Sequence, residues 1–132
     1  MVYRAIGLMS GSSLDGLDIA YVHLHETAGK WSYEIVKADC YAYSPQWIEK
    51  LSNAINLDAR SYLLLHTAYG QEIGNMVNRF IADNGLHYQV QLVSSHGHTT
   101  FHMPAQKMTG QLGDGAAIAA TTGINSVTDL RA

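Results

Sequence analysis

With one cysteine, Cys40, the 132-residue chain has no partner for an internal disulfide, which fits a reducing compartment. Charge is scarce too: Asp, Glu, Lys and Arg make up 14% of the residues, for a formal net charge of -3. The eight Lys and Arg are scattered, so the basic stripe of a nucleic-acid binder is missing. No apolar run reaches membrane-spanning length, and Met1 to Ser10 lack the pattern of a signal peptide. The expected location is therefore the cytoplasm, with neither nucleic acid nor membrane as partner. Internal repeats, low-complexity segments and obvious linkers are also missing. Apolar residues are plentiful at 47%, enough for one domain with a real core. The glycines are unremarkable in number but cluster at 7–16 and 110–115.

The first third of the chain reads as ribbons. "VYRAIGLM" enters a loop, "LDIAYVHLHE" leaves it with apolar and polar residues alternating, and "WSYEIVKADCYAY" follows a turn at "ETAGK". Together they predict a three-stranded antiparallel meander. His23 and His25 alternate on the second ribbon and receive no role. Cys40 reads as a packed small hydrophobe rather than a nucleophile. Tyr41 and Tyr43 read as packing residues.

The pattern then turns helical. Ser44 suits an N-cap and Pro45 the first helical position of "SPQWIEKLSNAI". In the next segment Leu64, Ala68, Ile73, Val77 and Phe80 suggest a helical face. Gly70 and Gly74 interrupt it, which predicts close packing there. "DNG" stops it, with Gly85 a left-handed cap. A strand through Val90, Leu92 and Val93 ends in "SSHG". A short strand, a Gly-Asp-Gly hinge and a small-residue helix capped by Asp114 and ending near Gly123 come next. "NSVTDLRA" opens a last strand. The order βββ-α-α-β-β-α-β predicts a mixed sheet with helices on its faces. A strand that stops at Ala132 has no helix or tail behind it, so the chain is expected to be a fragment.

Two clusters carry chemistry. Ser10, Gly11, Ser12 and Ser13 offer backbone and hydroxyl donors with little steric obstruction, as a phosphate requires. Asp15 and Asp18 would repel a bare phosphate, but make sense if Mg²⁺ sits between. The loop has no lysine and is neither GxxxxGK[ST] nor GxGxxG, which excludes a Walker-type site. Gly, Ser and Asp are also common turn residues, so a decorated hairpin stays open beside the phosphate reading. The second cluster, "SSHGHTTFHMP", holds His96, His98 and His102. After a strand end it could line a polar cleft, be satisfied structurally, or ligate a metal if the chain bends back. Gln111 could face the same cleft as His98. Asp129 and Arg131, two apart on the terminal strand, could be an ion pair, substrate contacts or polar ends.

"GLMSGSSLDGLDIA", "SSHGHTTFH" and "TGQLGDGAAIAATTGINSVTDLR", in that order and spacing, resemble the anhydro-N-acetylmuramic acid kinase family. The resemblance implies an α/β, ribonuclease-H-like lobe of the actin/hexokinase/Hsp70-like superfamily. On that expectation the meander is continued by strand–helix units in a mixed sheet. Residues 1–132 would be the N-terminal actin-like ATPase lobe of a sugar kinase, with the second lobe absent. It further implies an ATP- and Mg²⁺-dependent enzyme of cell-wall recycling, whose partners are ATP and a small amino sugar. That enzyme hydrolyses the 1,6-anhydro bond and phosphorylates the freed 6-oxygen.

By the same resemblance the nucleotide-phosphate loop maps onto Gly11 through Asp18, including Gly16, with Ser12 where the family usually has Thr. Ser10 to Ser13 would donate to phosphates, and Asp15 and Asp18 would hold the metal. Ser95, His96, Gly97, His98 and Thr99 would shape the sugar pocket, with His98 where the family usually has Gln. Asp129, Leu130 and Arg131 correspond to an Asp-Phe-Arg motif. The family's general-base Asp falls downstream of Ala132, so this chain alone is expected to be inactive. The rivals are a non-catalytic ribonuclease-H-like binding module and, more weakly, a His-ligated metal hydrolase. A missing lobe would expose apolar surface, making a homodimer unsurprising.

Overall fold

Each ribbon of the first third forms, and the loops between them set the register. The computed structural model describes residues Met1–Ala132. Strands β1 (Val2–Ser10), β2 (Gly16–Thr27) and β3 (Lys30–Ala42) make the expected antiparallel meander, with Ser10 opposite Leu17 and Gly16 opposite Ala42. Side chains alternate across a strand, so Ile6, Leu8 and Ser10 share a face with Leu17, Ile19 and Tyr21. All six are buried.

Helix α1 (Pro45–Ser52) begins as read: the Ser44 side chain accepts from the Trp47 amide, and Pro45 sits in the first turn. Helix α2 (Ala59–Asp83) is capped by Asp58, whose carboxylate accepts from the Ser61 amide at 2.8 Å. It ends at Gly85, where φ is +64°, with the Leu86 amide donating back to the Ile81 carbonyl at 2.9 Å. Its inward face is Tyr69, Ile73, Met76, Val77 and Phe80. Leu64, expected on that face, is exposed. Nine residues separate it from Ile73, and at about 100° per residue the two lie roughly half a turn apart.

Gly70 and Gly74 admit helix α3 (Gly115–Thr122) against α2. A Cβ on Gly70 would lie 2.6 Å from the Asp114 carbonyl oxygen, and one on Gly74 would lie 2.6 Å from Thr121 Cβ. Asp114 caps α3 by accepting from the Ala116 amide, and Gly123 closes it with φ +71°. The buried faces of the strands and helices join in one core that includes Leu51, Val93, Leu112 and Ile118.

Two expectations are corrected. Strand β4 starts at Leu92 and runs on to Met103, straight through the histidine cluster. Gly97, read as a stop, adopts φ +74° and forms a bulge instead. β1 supplies partners before it, and β5 (Met108–Leu112) supplies them after it. Asp129 and Arg131 are not on a strand. β6 is only Ser126–Val127, and Asp129 (φ +60°) opens a turn closed by the Ala132 amide on its carbonyl.

The sheet order is β3-β2-β1-β4-β5, with β6 parallel to β4 at Val93 and Ser94. β1 and β4 are parallel. An antiparallel meander extended by parallel strands, with helical crossovers, is the architecture of an actin- or ribonuclease-H-like ATPase lobe. No helix is long and apolar enough to cross a membrane.

Candidate functional site

The parallel pairing of β1 with β4 brings two distant sequence clusters together. Ser10, the last residue of β1, lies opposite His98. Beyond it the chain turns through Gly11–Asp15, with the Leu14 amide donating to the Gly11 carbonyl. The amides of Ser12 and Ser13 donate to no group in the chain. The Ser13 hydroxyl donates to Asp15 at 2.8 Å. That bond, followed by the backbone amides of Asp15 and Gly16, holds the Asp15 carboxyl below the usual carboxylate range. Gly16 has no room for a side chain, because a Cβ would lie 2.6 Å from the Tyr41 carbonyl oxygen.

Beneath the loop runs a buried hydroxyl chain. Tyr43 donates to Ser10 Oγ at 2.8 Å, and its own hydroxyl bonds that of Tyr69. Each phenol has one hydrogen. Since Tyr43 spends its hydrogen on Ser10, Tyr69 donates to Tyr43, and the Ser10 hydrogen is free for His98 Nδ1 at 3.4 Å. Burial pushes the Tyr43 and Tyr69 phenols up and the His98 imidazole down. A neutral His98 accepting at Nδ1 carries its proton on Nε2, which has no partner in the chain.

Met9, Ser10, Gly11, Ser12, His96, His98, Thr99 and Arg131 line one cleft of about 620 Å³. Three separate sequence pieces therefore meet. Arg131 reaches it from the turn after β6 and donates to Thr99 Oγ1 at 3.3 Å. Gln111 braces the same hydroxyl from β5, and also donates to Thr109 at 2.7 Å. No carboxylate lines the cleft. Its walls are donors and a guanidinium, which suits a ligand dense in acceptor oxygens.

The remaining sequence candidates lie around this cleft rather than in it. Ser95 points into the interior, where its hydroxyl is buried without a partner. Gly97 forms the bulge that turns His98. Asp18 lies on the outer face of β2 and borders a neighbouring groove with Met9 and Asp39. Asp129 accepts from Thr128 within its turn. His102 is exposed and bonds Thr109, so it does not join His96 and His98. Cys40 is exposed rather than packed. Partial desolvation and the neighbouring Asp18 push its thiol up, opposite to an activated nucleophile.

Sequence reasoning missed Tyr69 and His66. His66 Nδ1 accepts from the Gly113 amide and its carbonyl from the Asp114 amide, fixing the hinge before α3. Neither residue carries a local signal, since both sit in a helix whose partners are dozens of residues away.

A family model described as anhydro-N-acetylmuramic acid kinase matches residues 3–132. The chain belongs to the anhydro-N-acetylmuramic acid kinase family. It is 35% identical over 144 residues to the anhydro-N-acetylmuramic acid kinase of Bradyrhizobium diazoefficiens, covering 100% of this chain and 38% of that protein. The corresponding Pseudoalteromonas translucida protein is 34% identical over 141 residues, covering 96% of this chain and 34% of its own length. That of Brucella suis is 36% identical over 140 residues, covering 98% and 36%. The chain thus spans little more than a third of the length of these family members. Two of the three motifs that mark the family resemblance contribute residues to the loop–β4 wall of the cleft, and the third contributes Arg131.

Proposed function

We propose that this chain is the phosphate-gripping lobe of an ATP-dependent sugar kinase. That kinase would open the 1,6-anhydro bond of anhydro-N-acetylmuramic acid and phosphorylate the freed 6-oxygen. The observation that supports this reading is the single cleft where the unpaired Ser12 amide, the Ser12 hydroxyl and Arg131 converge with no carboxylate in the wall. Those donors fit a polyphosphate. Bound there, ATP would supply the transferable phosphoryl group. The loop would fix the nucleotide tail, and Arg131 would balance its charge. Asp15 and Asp18 flank the loop outside that wall and are the proposed holders of Mg²⁺ or its waters. Asp15 is kept ionised by Ser13, as a hard-cation ligand requires.

On the sugar side, His96, His98 and Thr99 would present hydrogen-bonding groups, with Gln111 holding Thr99. Ser95, Gly97 and Asp129 would act by shaping the strand and turn that carry them. Activating a water requires a carboxylate within hydrogen-bond reach, and the cleft wall has none. The lobe by itself is therefore proposed to bind nucleotide without turnover. The base would come from the part of the family's length that this chain does not match.

Titration with Mg-ATP in a calorimeter tests the reading. Saturable binding that falls at least about tenfold in both Ser12→Ala and Arg131→Ala, a loss of about 1.4 kcal/mol each, supports it. Binding that ignores both substitutions contradicts it. A second reading, self-association, draws on one observation: edge strand β3 exposes Trp31, Tyr33, Ile35 and Val36 together. Sedimentation of wild type against Tyr33→Lys tests it, and a wild-type monomer at all concentrations removes it.

A further inference from the structure

At the far end of β2 from the loop, three side chains of metal-ligand type converge. His23 and His25 are two apart on β2 and so share a face. Glu34 on β3 is the direct cross-strand partner of His23. One ligand atom from each lies within 4.8 Å of the others. The carboxylate nevertheless forms no ion pair with either ring. No hydrogen bond joins any two of the three side chains.

Behind His23 stands Tyr21, 2% exposed, whose hydroxyl lies 3.2 Å from His23 Nε2. In the tautomer that donates Nε2–H to the phenol oxygen, the ring is fixed and Nδ1 keeps its lone pair for a metal, the arrangement that supports metal-binding histidines. Two imidazoles and a carboxylate match the His₂Glu donor set of zinc sites, with bonds of about 2.0–2.2 Å and a fourth position left to water. Imidazole donors select borderline transition ions over Mg²⁺. Arg4 faces His23 from β1 and opposes a cation, but it is exposed and has no carboxylate partner to hold it there.

We propose that His23, His25 and Glu34 form a site for a divalent transition-metal ion of the zinc class, bridging β2 to β3. The bridge has a structural use. Every residue of β3 from Lys30 to Cys40 is exposed, so that length of the edge strand is held by its backbone ladder to β2 with almost no core contact. An ion shared by the two strands staples that edge. The site lies roughly 25 Å along β2 from Gly16 and does not depend on the nucleotide reading.

Zinc chloride titrated into the chain by calorimetry is the test, with magnesium chloride as the counter-probe. The expected result is one equivalent of zinc bound and no magnesium response. His25→Ala, at a half-buried position, and Glu34→Gln, at an exposed one, should each weaken zinc binding by more than about tenfold. Tyr21→Phe should weaken it by about tenfold. Hydrogen exchange of the β3 amides should slow on zinc addition in wild type and not in the variants. The exposed His87→Ala and His102→Ala should bind zinc as wild type does. No zinc binding, equal binding of magnesium, or zinc binding that survives both His25→Ala and Glu34→Gln would overturn the proposal.

Discussion

Replacing Tyr43 by Phe removes one oxygen from the middle of the hydroxyl chain and keeps the ring packing. Two hydrogen bonds disappear, the donation to Ser10 and the acceptance from Tyr69. Each neutral bond contributes about 1 kcal/mol net. Tyr69 is fully buried, and apart from Tyr43 only Ser10 lies near its hydroxyl, too poorly placed for a well-formed bond, so the loss of Tyr43 leaves it unsatisfied at a further cost of about 1–3 kcal/mol. The sum is about 3–5 kcal/mol. With a urea m-value of about 2 kcal/mol/M, the unfolding midpoint should fall by roughly 1.5–2.5 M.

Tyr69→Phe should cost less, about 1–2 kcal/mol, because Tyr43 keeps its bond to Ser10. The double variant loses the shared bond only once and leaves no orphan, so its cost should fall short of the sum of the singles by about 2–4 kcal/mol. Urea unfolding of the four proteins, followed by far-UV circular dichroism, measures this cycle. Additive costs, or a Tyr69→Phe loss as large as that of Tyr43→Phe, would refute the directional chain.

Three further outcomes follow from the geometry. Gly70→Ala should destabilise more than Gly74→Ala by thermal melting. The added methyl at Gly70 meets the Asp114 backbone oxygen and nitrogen at 2.6 and 2.9 Å, whereas at Gly74 it meets the Thr121 side chain. Overpacking of this kind costs about 1–3 kcal/mol, against a helix-propensity gain of about 0.5–1 kcal/mol. His98 should make stability fall with acid. Its folded pKa lies below the ordinary 6.5, so as pH drops through that value the unfolded chain takes up a proton that the folded chain refuses. In His98→Gln this part of the pH dependence of urea unfolding should vanish. Asp114→Ala removes the α3 cap and should cost about 1 kcal/mol, read by the same unfolding assay.

What the sequence disclosed was mostly local. Ser44 with Pro45, Asp114, Gly85 and Gly123 act within a turn of their own position, and all four helix ends lie where such residues place them. The meander was legible because alternation in "LDIAYVHLHE" and the turn residues around it agree. Leu64 misled because its hydrophobicity was weighed without its helical phase. The run of β4 through Gly97 was hidden, since what carries it on is pairing with β1 on one side and β5 on the other. The cleft was half legible: the loop and the histidines each carried chemical signals. Only the parallel register that sets Ser10 opposite His98 joins them. The Tyr69–Tyr43–Ser10 chain had no sequence signature, because a buried hydroxyl pair 26 residues apart looks like ordinary core.

The most direct measurement of the central claim is a two-dimensional amide NMR titration of the ¹⁵N-labelled chain with a Mg²⁺-loaded, non-hydrolysable ATP analogue. The account predicts saturable shifts centred on Gly11, Ser12, Ser13, His98, Thr99 and Arg131, with the distal β2–β3 ribbon unmoved. Shifts centred elsewhere, or none at saturating nucleotide, would contradict it.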